Sequence, residues 1–157
     1  MPGRSSGFMI GALLTIPSLD LNKRVEARLR QRGFHEVTSS NSIVLKVLGA
    51  EGDRITDLAS KAGMTKQSMG YLVAQLEATG FIERATDPRD GRASIIRRTE
   101  RGWSYNRAAA DEVARLEAEW AKLLGPAKMG RLKALLGELV SNLGHEYRGS
   151  QAEAASG

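Results

Sequence analysis

Residues 56–79, TDLASKAGMTKQSMGYLVAQLEAT, form the most informative segment of this sequence. Ala59 and Gly63 lie four positions apart, a spacing at which a small residue lets two helices cross closely and glycine makes the tight turn between them. Apolar residues then recur at helical spacing and predict the buried face of a second helix: Met69, Leu72, Val73 and Leu76. We expect this helix to be capped by Thr65 and to end at Gly80. The pattern predicts a helix-turn-helix, although an ordinary helical hairpin has the same spacing.

The outward face of the second helix carries side chains that can hydrogen-bond to base edges and phosphates: Lys66, Gln67, Ser68, Tyr71 and Gln75. Gln67 can pair with two edge atoms of adenine, whereas Lys66 and Ser68 suit phosphate. A recognition helix contacts bases near its N-terminal end, where its dipole also favours a phosphate. Gly70 is unusual inside a helix, so either another backbone approaches it closely or its cost is tolerated.

After Gly80 the apolar period changes to two, which predicts strands over 81–86 and 93–98. The tip between them, Asp87-Pro88-Arg89-Asp90-Gly91-Arg92, has turn chemistry that Asp87 and Gly91 would shape. Residues 84–107 hold seven arginines against three acidic residues, a local net charge of +4 out of +5 for the whole chain. A tip arginine can enter the minor groove. The alternative is a solvated loop held by an Asp87–Arg92 pair, and both can hold together.

The order of these motifs resembles the MarR family of bacterial transcription regulators. The resemblance covers about 54–102 and is carried by three motifs: Leu76-Glu77-x-x-Gly80-Phe81-Ile82, Asp87-Pro88-Arg89-Asp90-Gly91-Arg92 and Thr99-Glu100-Arg101-Gly102. It implies a winged helix-turn-helix, mainly α with a small β-hairpin wing, and an obligate dimer whose N- and C-terminal helices interlock. It places Thr65–Gln75 on the recognition helix, with Thr65 among the DNA contacts, and Arg89 and Arg92 on the wing. Arg98 departs from the family, which commonly has an apolar residue there, and residues 33–38 are less typical of its usual loop.

The chain divides into five predicted segments. They are a flexible N-terminus (1–7), an N-terminal dimerisation helix (8–36), the winged DNA-binding domain (38–100), C-terminal dimerisation helices (101–147) and a disordered tail (148–157). Pro17 should break or kink the first helix, because it cannot donate to the carbonyl four residues earlier. Ser39 or Ser40, Thr56 and Thr99 are the expected N-caps of the other helices.

The terminal helices carry more apolar surface than a small winged domain can cover, at Ile10, Leu13, Leu132, Leu136, Leu139 and Leu143 among others. A homodimer is the simplest way to cover it. The alternative is a monomer that folds these helices onto its own body. Two-fold symmetry predicts DNA half-sites roughly one helical turn apart.

Composition excludes several other classes of function. The 157 residues include no cysteine, which removes disulfides, cysteine–zinc sites and thiol redox sensing and is consistent with a reducing cytoplasm. Two histidines make a poor metal site, and no catalytic motif is evident. The apolar run 8–16 is far too short to span a bilayer, and we expect a helix start there rather than a cleaved signal. Trp103 and Trp120 belong in the core or interface, or alternatively line a ligand pocket.

These inferences predict a dimeric, sequence-specific DNA-binding regulator in the cytoplasm, with no cofactor, metal, membrane or catalytic role. By the resemblance it is a repressor of a pseudo-palindromic operator on double-stranded DNA, released by a small aromatic or anionic effector. The alternatives are a helical dimeric interaction protein with only non-specific DNA binding, and a small enzyme.

Overall fold

The fold is mainly helical, with one two-stranded antiparallel hairpin. The computed structural model describes residues 7–143. In chain order its elements are α1 (Ile10–Gln31), α2 (Ser42–Val47), α3 (Ile55–Ala62), α4 (Lys66–Ala78), β1 (Ile82–Asp87), β2 (Asp90–Arg98), α5 (Glu100–Leu124) and α6 (Pro126–Asn142). This order confirms the predicted winged helix fold. The flexible N-terminus, except for its last residue, and the predicted tail lie outside the described residues, and the five-segment division stays a prediction.

Helices α3 and α4 form the predicted helix-turn-helix. Gly63 ends α3 with a φ of +63°, a left-handed conformation that glycine adopts at little cost. The hydroxyl of Thr65 then accepts the Ser68 N–H at 3.1 Å and caps α4 as predicted. Ala59 is buried on α3, and the buried face of α4 matches the predicted apolar stripe: Met69, Leu72, Val73 and Leu76.

The core lies between the helix-turn-helix, the first turns of α5 and the end of α1. Its largest side chains are aromatic. Phe81 is fully buried, and its ring lies 6.3 Å from the ring of Phe34 and 6.0 Å from that of Tyr105. The Phe34 and Tyr105 rings meet edge to face at 5.5 Å, a favourable arrangement of aromatic quadrupoles. These contacts join the start of the wing to the loop after α1 and to α5.

Two predicted N-caps are wrong. Helix α2 begins after Asn41, because Thr38 and Asn41 already form a reciprocal turn: the Thr38 N–H donates to Asn41 Oδ1 at 2.8 Å and the Asn41 N–H donates to Thr38 Oγ1 at 3.3 Å. The serines at 39–40 are exposed within that turn. Helix α3 begins after Arg54, so Thr56 lies inside the helix rather than before it.

The hairpin is longer than predicted. Asp87 pairs with Asp90, so the turn itself contains only Pro88 and Arg89, and β2 begins at Asp90 instead of residue 93. The register shifts at Thr86 and Asp87, where the pairing becomes irregular. An irregularity of this kind bends a strand and re-aims its side chains. The wing is therefore one continuous hairpin with a tight tip.

A third extended segment joins the base of the wing. The Asp53 N–H donates to the Ile96 carbonyl at 3.1 Å, and the Ile96 N–H donates back at 2.8 Å. Gly52 precedes this bridge with a φ of +92°, and a Cβ there would meet the Ile96 carbonyl oxygen at 2.7 Å. Glycine is therefore required at Gly52 by both conformation and space. The bridge ties the loop after α2 to the wing.

Helix α1 runs through Pro17 without the predicted break. Residues 13–20 are exposed, so the carbonyl left without its helical donor stays open to water. Further along, α1 packs on α5 through ion pairs centred on Glu112, which is 2% exposed. Arg28 and Arg32 each donate to its carboxylate at 3.3 Å. The position of α1 is thus fixed by a buried carboxylate on α5.

The terminal helices leave a broad apolar surface uncovered. All six predicted interface residues are at least one-third exposed: Ile10, Leu13, Leu132, Leu136, Leu139 and Leu143. The monomer alternative requires these side chains to be buried against the same chain. Within residues 7–143 they are not buried in this way. No helix within this range is long and apolar enough to cross a membrane.

Candidate nucleic-acid interface

Helix α4 presents a polar face at its N-terminal end. Lys66, Gln67, Ser68 and Tyr71 are all exposed, and Tyr71 keeps 67% of its surface open to solvent. Thr65 is exposed as well, and its hydroxyl bonds to the Ser68 hydroxyl at 2.9 Å besides capping the helix. The cap fixes the first turn of α4, so the side chains that follow leave the protein in defined directions.

Gln75 and Gly70 differ from the rest of this face. Gln75 is half-buried, and its side-chain oxygen accepts a hydrogen bond from the Asn41 amide at 3.4 Å. It is thus engaged with the turn before α2, and its contact with DNA stays a prediction. A Cβ on Gly70 would meet only Ile55 Cδ1, at 3.7 Å, an ordinary van der Waals distance. No other backbone within residues 7–143 requires glycine at this position.

Asp87 organises the wing from a buried position. Its carboxylate accepts the Arg89 N–H at 2.9 Å, the Arg54 Nε–H at 2.8 Å and the Arg89 Nε–H at 3.3 Å. The backbone N–H of Arg89 and the guanidinium of Arg54 hold the pKa of Asp87 below its usual value. The proposed Asp87–Arg92 pair is wrong, because these other donors fill the Asp87 carboxylate.

Arg89 and Arg92 extend from the tip of the wing. The Arg89 side chain remains 73% exposed despite its contact with Asp87. The backbone N–H of Arg92 donates to Asp90 Oδ1 at 3.1 Å, and among residues 7–143 its exposed guanidinium has no ion-pair partner. Gly91 lies in β2 without a positive φ, and a Cβ would meet open space. The predicted shaping role of Gly91 is therefore not required by the backbone, whereas that of Asp87 rests on three hydrogen bonds.

Sequence reasoning missed Arg54 as part of this site. Arg54 is the residue before α3, and its guanidinium also reaches Asp90 Oδ2 at 3.4 Å. It therefore ties the wing to the start of the helix-turn-helix, and Asp87 raises its pKa in return. The only indication in the sequence is an acidic wing motif that needs a cation, and the partner lies 33 residues away.

The positive charge of 84–107 is less available than the sequence suggests. Four of its arginines face carboxylates on the protein itself, each at 2.8–3.2 Å: Arg84 with Glu77, Arg97 with Glu83, Arg101 with Glu36 and Arg107 with Glu100. Arg98 is buried. The outward cations near α4 and the wing are therefore Lys66, Arg89 and Arg92.

A cavity of about 470 Å³ lies among α1, α2 and α5. Its lining is mainly apolar with a few polar groups. Lys46 donates to the Asn22 side chain at 3.1 Å, and burial lowers the pKa of Lys46. Burial likewise raises the pKa of Tyr105 to about 12. Asn106 is buried, and its Nδ2 has no hydrogen-bond partner among the described residues.

Neither tryptophan lies in this cavity. Trp103 and Trp120 are both half-buried and absent from its lining, so the pocket alternative for them is wrong for this cavity. The side chain of Trp103 instead lies under the guanidinium of Arg98, at 4.8 Å from the ring centroid. No group of three or more metal-ligating side chains occurs in residues 7–143. His145 lies outside that range.

A comparison with protein-family models matches residues 35–93 to the MarR family. This segment includes α2, α3, α4, β1 and the tip of the wing. The match confirms the resemblance drawn from the three sequence motifs. A comparison with curated protein sequences finds no significant match.

Solved structures of bacterial regulators share the whole fold. A transcriptional regulator from Thermotoga maritima has 22% identity and a TM-score of 0.61, covering 88% of this chain and 96% of its own. CouR from Rhodococcus jostii, bound to p-coumaroyl-CoA, has 22% identity and a TM-score of 0.65, covering 87% and 95%. A MepR variant from Staphylococcus aureus, bound to an oligodeoxyribonucleotide, has 22% identity and a TM-score of 0.55, covering 87% and 99%. At these identities the likeness concerns the fold.

Proposed function

We propose that this chain, whose residues 35–93 match the MarR family, is a homodimeric DNA-binding repressor of a pseudo-palindromic operator. The observation that carries the proposal is the juxtaposition of two features. The exposed polar face of α4 lies in the same unit as a wing whose tip carries two outward arginines. Such a protein acts where the chromosome lies, in the bacterial cytoplasm.

The two features suit the two grooves of DNA. An α-helix with its side chains is about 10–12 Å wide, and the major groove is about 12 Å wide. Helix α4 would enter it with Gln67 at a base edge and Lys66 at a phosphate. Arg92 would reach the neighbouring minor groove, where the negative potential is concentrated. Its freedom from ion pairs within residues 7–143 leaves its charge available.

Dimerisation supplies the second half-site. The exposed leucines of α6 and the exposed apolar start of α1 form a surface that a soluble monomer rarely keeps open. A second copy related by two-fold symmetry would cover both faces at once. Each protomer then presents one α4 and one wing to an inverted repeat.

The cavity supplies a site for an effector. It is closed on one side by α2, and Asn41, the residue before α2, hydrogen-bonds to Gln75 of α4. Lys46 and the unpaired donor of Asn106 favour a small molecule with an anionic or hydrogen-bond-accepting group on an apolar body. We propose that such a ligand releases the protein from DNA.

Selection of bound sequences from a random DNA library tests specificity, half-site symmetry and spacing together. We expect an inverted repeat with half-sites roughly one helical turn apart. Equal affinity for the selected sequence and for random DNA at physiological salt would instead favour the non-specific interaction protein.

Two variants separate base contact from phosphate contact. Gln67→Ala should relax the preference at one base pair by about 1–3 kcal/mol. Arg92→Ala should weaken binding to every sequence, and it should leave the helical content and the dimer unchanged. Gln31→Ala and Arg107→Ala are matched controls, because both residues are exposed on helices away from α4 and the wing. Loss of operator binding in either control would contradict the assignment.

Calorimetry with a panel of aromatic carboxylates tests the effector site. Because an anion beside Lys46 would raise the lysine's pKa, binding should take up protons at alkaline pH. The uptake is measured by repeating the titration in buffers of different ionisation enthalpy. Lys46→Met should abolish the uptake, and binding without any uptake would contradict the placement of the anion beside Lys46.

A further inference from the structure

Arg98 occupies an unusual position at the base of the wing. It is the last residue of β2 and only 6% exposed. Its Nη2 donates to the carbonyls of Leu45 at 2.7 Å and Leu48 at 2.6 Å, and its Nη1 donates to the carbonyl of Gly49 at 3.0 Å. We call this set of four residues the Arg98 joint.

The guanidinium of Arg98 accounts for backbone carbonyls at the end of α2 that have no partner within the helix. Helix α2 has only six residues, and the last carbonyls of any helix lack partners within it. A guanidinium placed at that end satisfies these carbonyls and opposes the negative end of the helix dipole. Helix α2 is therefore held in place by a side chain that belongs to the wing.

The same helix forms a wall of the cavity. Leu45 lines the cavity while its carbonyl accepts from Arg98. On the other side, Arg98 is followed directly by Thr99, which caps α5, and Tyr105 and Asn106 of α5 also line the cavity. Arg98 is thus hydrogen-bonded to the α2 wall of the cavity and lies two residues before the helix that forms the α5 wall.

The wing converts a small movement at its base into a larger one at its tip. From Ile82 beside Arg98 to Asp87 beside Asp90, β1 spans five residue steps, which corresponds to about 17 Å. A tilt of about 5° at the joint would displace the tip by about 1.5 Å over that length. A displacement of this size is enough to break a hydrogen bond between Arg92 and a phosphate.

We propose that Arg98 is a positioning residue that couples the occupancy of the cavity to the orientation of the wing. The proposal rests on the proposed function, since it names the connection between the effector site and the DNA-binding surface. Arg98 is buried and is not among the residues that line the cavity, so we propose that it acts through the carbonyls at the end of α2 and just after it.

A double-mutant cycle tests the coupling without any ligand. Ala109 lines the cavity from α5, and Ala109→Phe would fill part of the cavity as a ligand does. Arg98→Met removes the three hydrogen bonds while keeping an unbranched apolar stem. The first readout is amide hydrogen exchange over residues 82–98, which needs no DNA. The second readout is affinity for the selected operator.

We expect Ala109→Phe alone to accelerate exchange in the hairpin and weaken operator binding, each by about tenfold. In the Arg98→Met background the same substitution should change either quantity by less than about twofold. Arg97→Met is the matched control, because Arg97 is adjacent but exposed and paired with Glu83, and it should leave the response to Ala109→Phe intact. If Arg98→Met does not fold, Arg98→Lys takes its place and should give a partial loss of coupling.

Equal responses to Ala109→Phe in both backgrounds would overturn the proposal. So would a hairpin whose exchange does not respond to Ala109→Phe in the otherwise native chain. A protein that binds no preferred DNA sequence would overturn the proposed function instead, and hydrogen exchange would still report whether the cavity and the wing are coupled.

Discussion

The salt dependence of operator binding follows from which cations the fold leaves available. Each phosphate that a protein neutralises releases counterions, so log K falls linearly with log salt, with a slope of about −0.9 per contact. Seven arginines in 84–107 would give fourteen contacts in a dimer and a slope of about −13. The structure predicts fewer phosphate contacts and therefore a much smaller slope.

Each protomer presents three outward cations near the DNA-binding surface: Lys66, Arg89 and Arg92. An arginine paired one to one with a glutamate on the protein carries no net charge to the DNA. Arg89 is counted because the carboxylate that it contacts, Asp87, is already paired with Arg54. Six contacts in the dimer predict a slope of about −5. Affinity should then fall by about three orders of magnitude between 50 and 200 mM salt, instead of about eight.

Fluorescence anisotropy with the selected operator in potassium chloride measures this slope directly. Arg92→Ala should reduce its magnitude by about 2 in the dimer, because two contacts are lost. Arg97→Ala, which removes an arginine paired with Glu83, should leave the slope unchanged. A slope near −13, or an equal change from both variants, would show that the paired arginines leave their carboxylates and bind phosphate.

The remaining predictions concern the scaffold. Gly102→Ala would place a Cβ closer to the carbonyl oxygen of Phe81 than van der Waals contact allows. It should therefore lower the free energy of unfolding, measured by urea denaturation, by about 3 kcal/mol. Gly70→Ala would place a Cβ at an ordinary van der Waals distance, 3.7 Å, from Ile55 and should raise stability by about 0.8–1 kcal/mol, and effects of the same sign in both variants would contradict the packing. Glu112→Gln should cost about 2–3 kcal/mol because it leaves three arginines, Arg28, Arg32 and Arg115, facing a neutral amide, and a cost under about 0.5 kcal/mol would show that the ion pairs contribute nothing. Burial raises the pKa of Tyr105 above its unfolded value of 10, so above pH 10 the unfolded chain loses this proton before the folded chain does. The stability of the native chain, measured against Tyr105→Phe, should therefore be constant below pH 10 and decline between pH 10 and 12. Equal changes of stability with pH in the two proteins would contradict this. Leu136→Lys should convert the dimer to a monomer in sedimentation equilibrium, whereas Thr56→Lys should not, and a native-like dimer with Leu136→Lys would place the interface elsewhere.

The sequence predicts those features whose cause is local. Thr65 and Thr99 cap their helices as expected, because a cap needs only a hydroxyl three residues before a backbone N–H. The stripe from Met69 to Leu76 is buried as expected, because helical period and burial are both set within one element. Even so, the N-cap of α2 was misplaced by one or two residues, because Asn41 and Thr38 compete with the neighbouring serines.

The sequence does not predict which distant partner a charged side chain takes. Arg54 and Asp87 are 33 residues apart, and Arg98 and Leu45 are 53 apart. Neither pairing follows from period, propensity or net charge, since each depends on how the loop after α2 is placed against the wing. The departure of Arg98 from the family pattern was visible, but its partners were not.

The arginines in and around the wing have three kinds of partner, which differ in how deeply the acceptor is buried. Arg98 and Arg54 donate to acceptors that are themselves shielded, the carbonyls at the end of α2 and the carboxylate of Asp87, so breaking either contact leaves a buried polar group unsatisfied. Arg84 and Arg97 face exposed glutamates, and such pairs contribute little to stability. Arg92 has neither kind of partner in residues 7–143 and is the one whose charge a phosphate can neutralise without cost to the fold. Position along the hairpin therefore separates these arginines: Arg98 at its base holds the wing, Arg84 and Arg97 along its edges pair with glutamates, and Arg92 at its tip remains available to a phosphate.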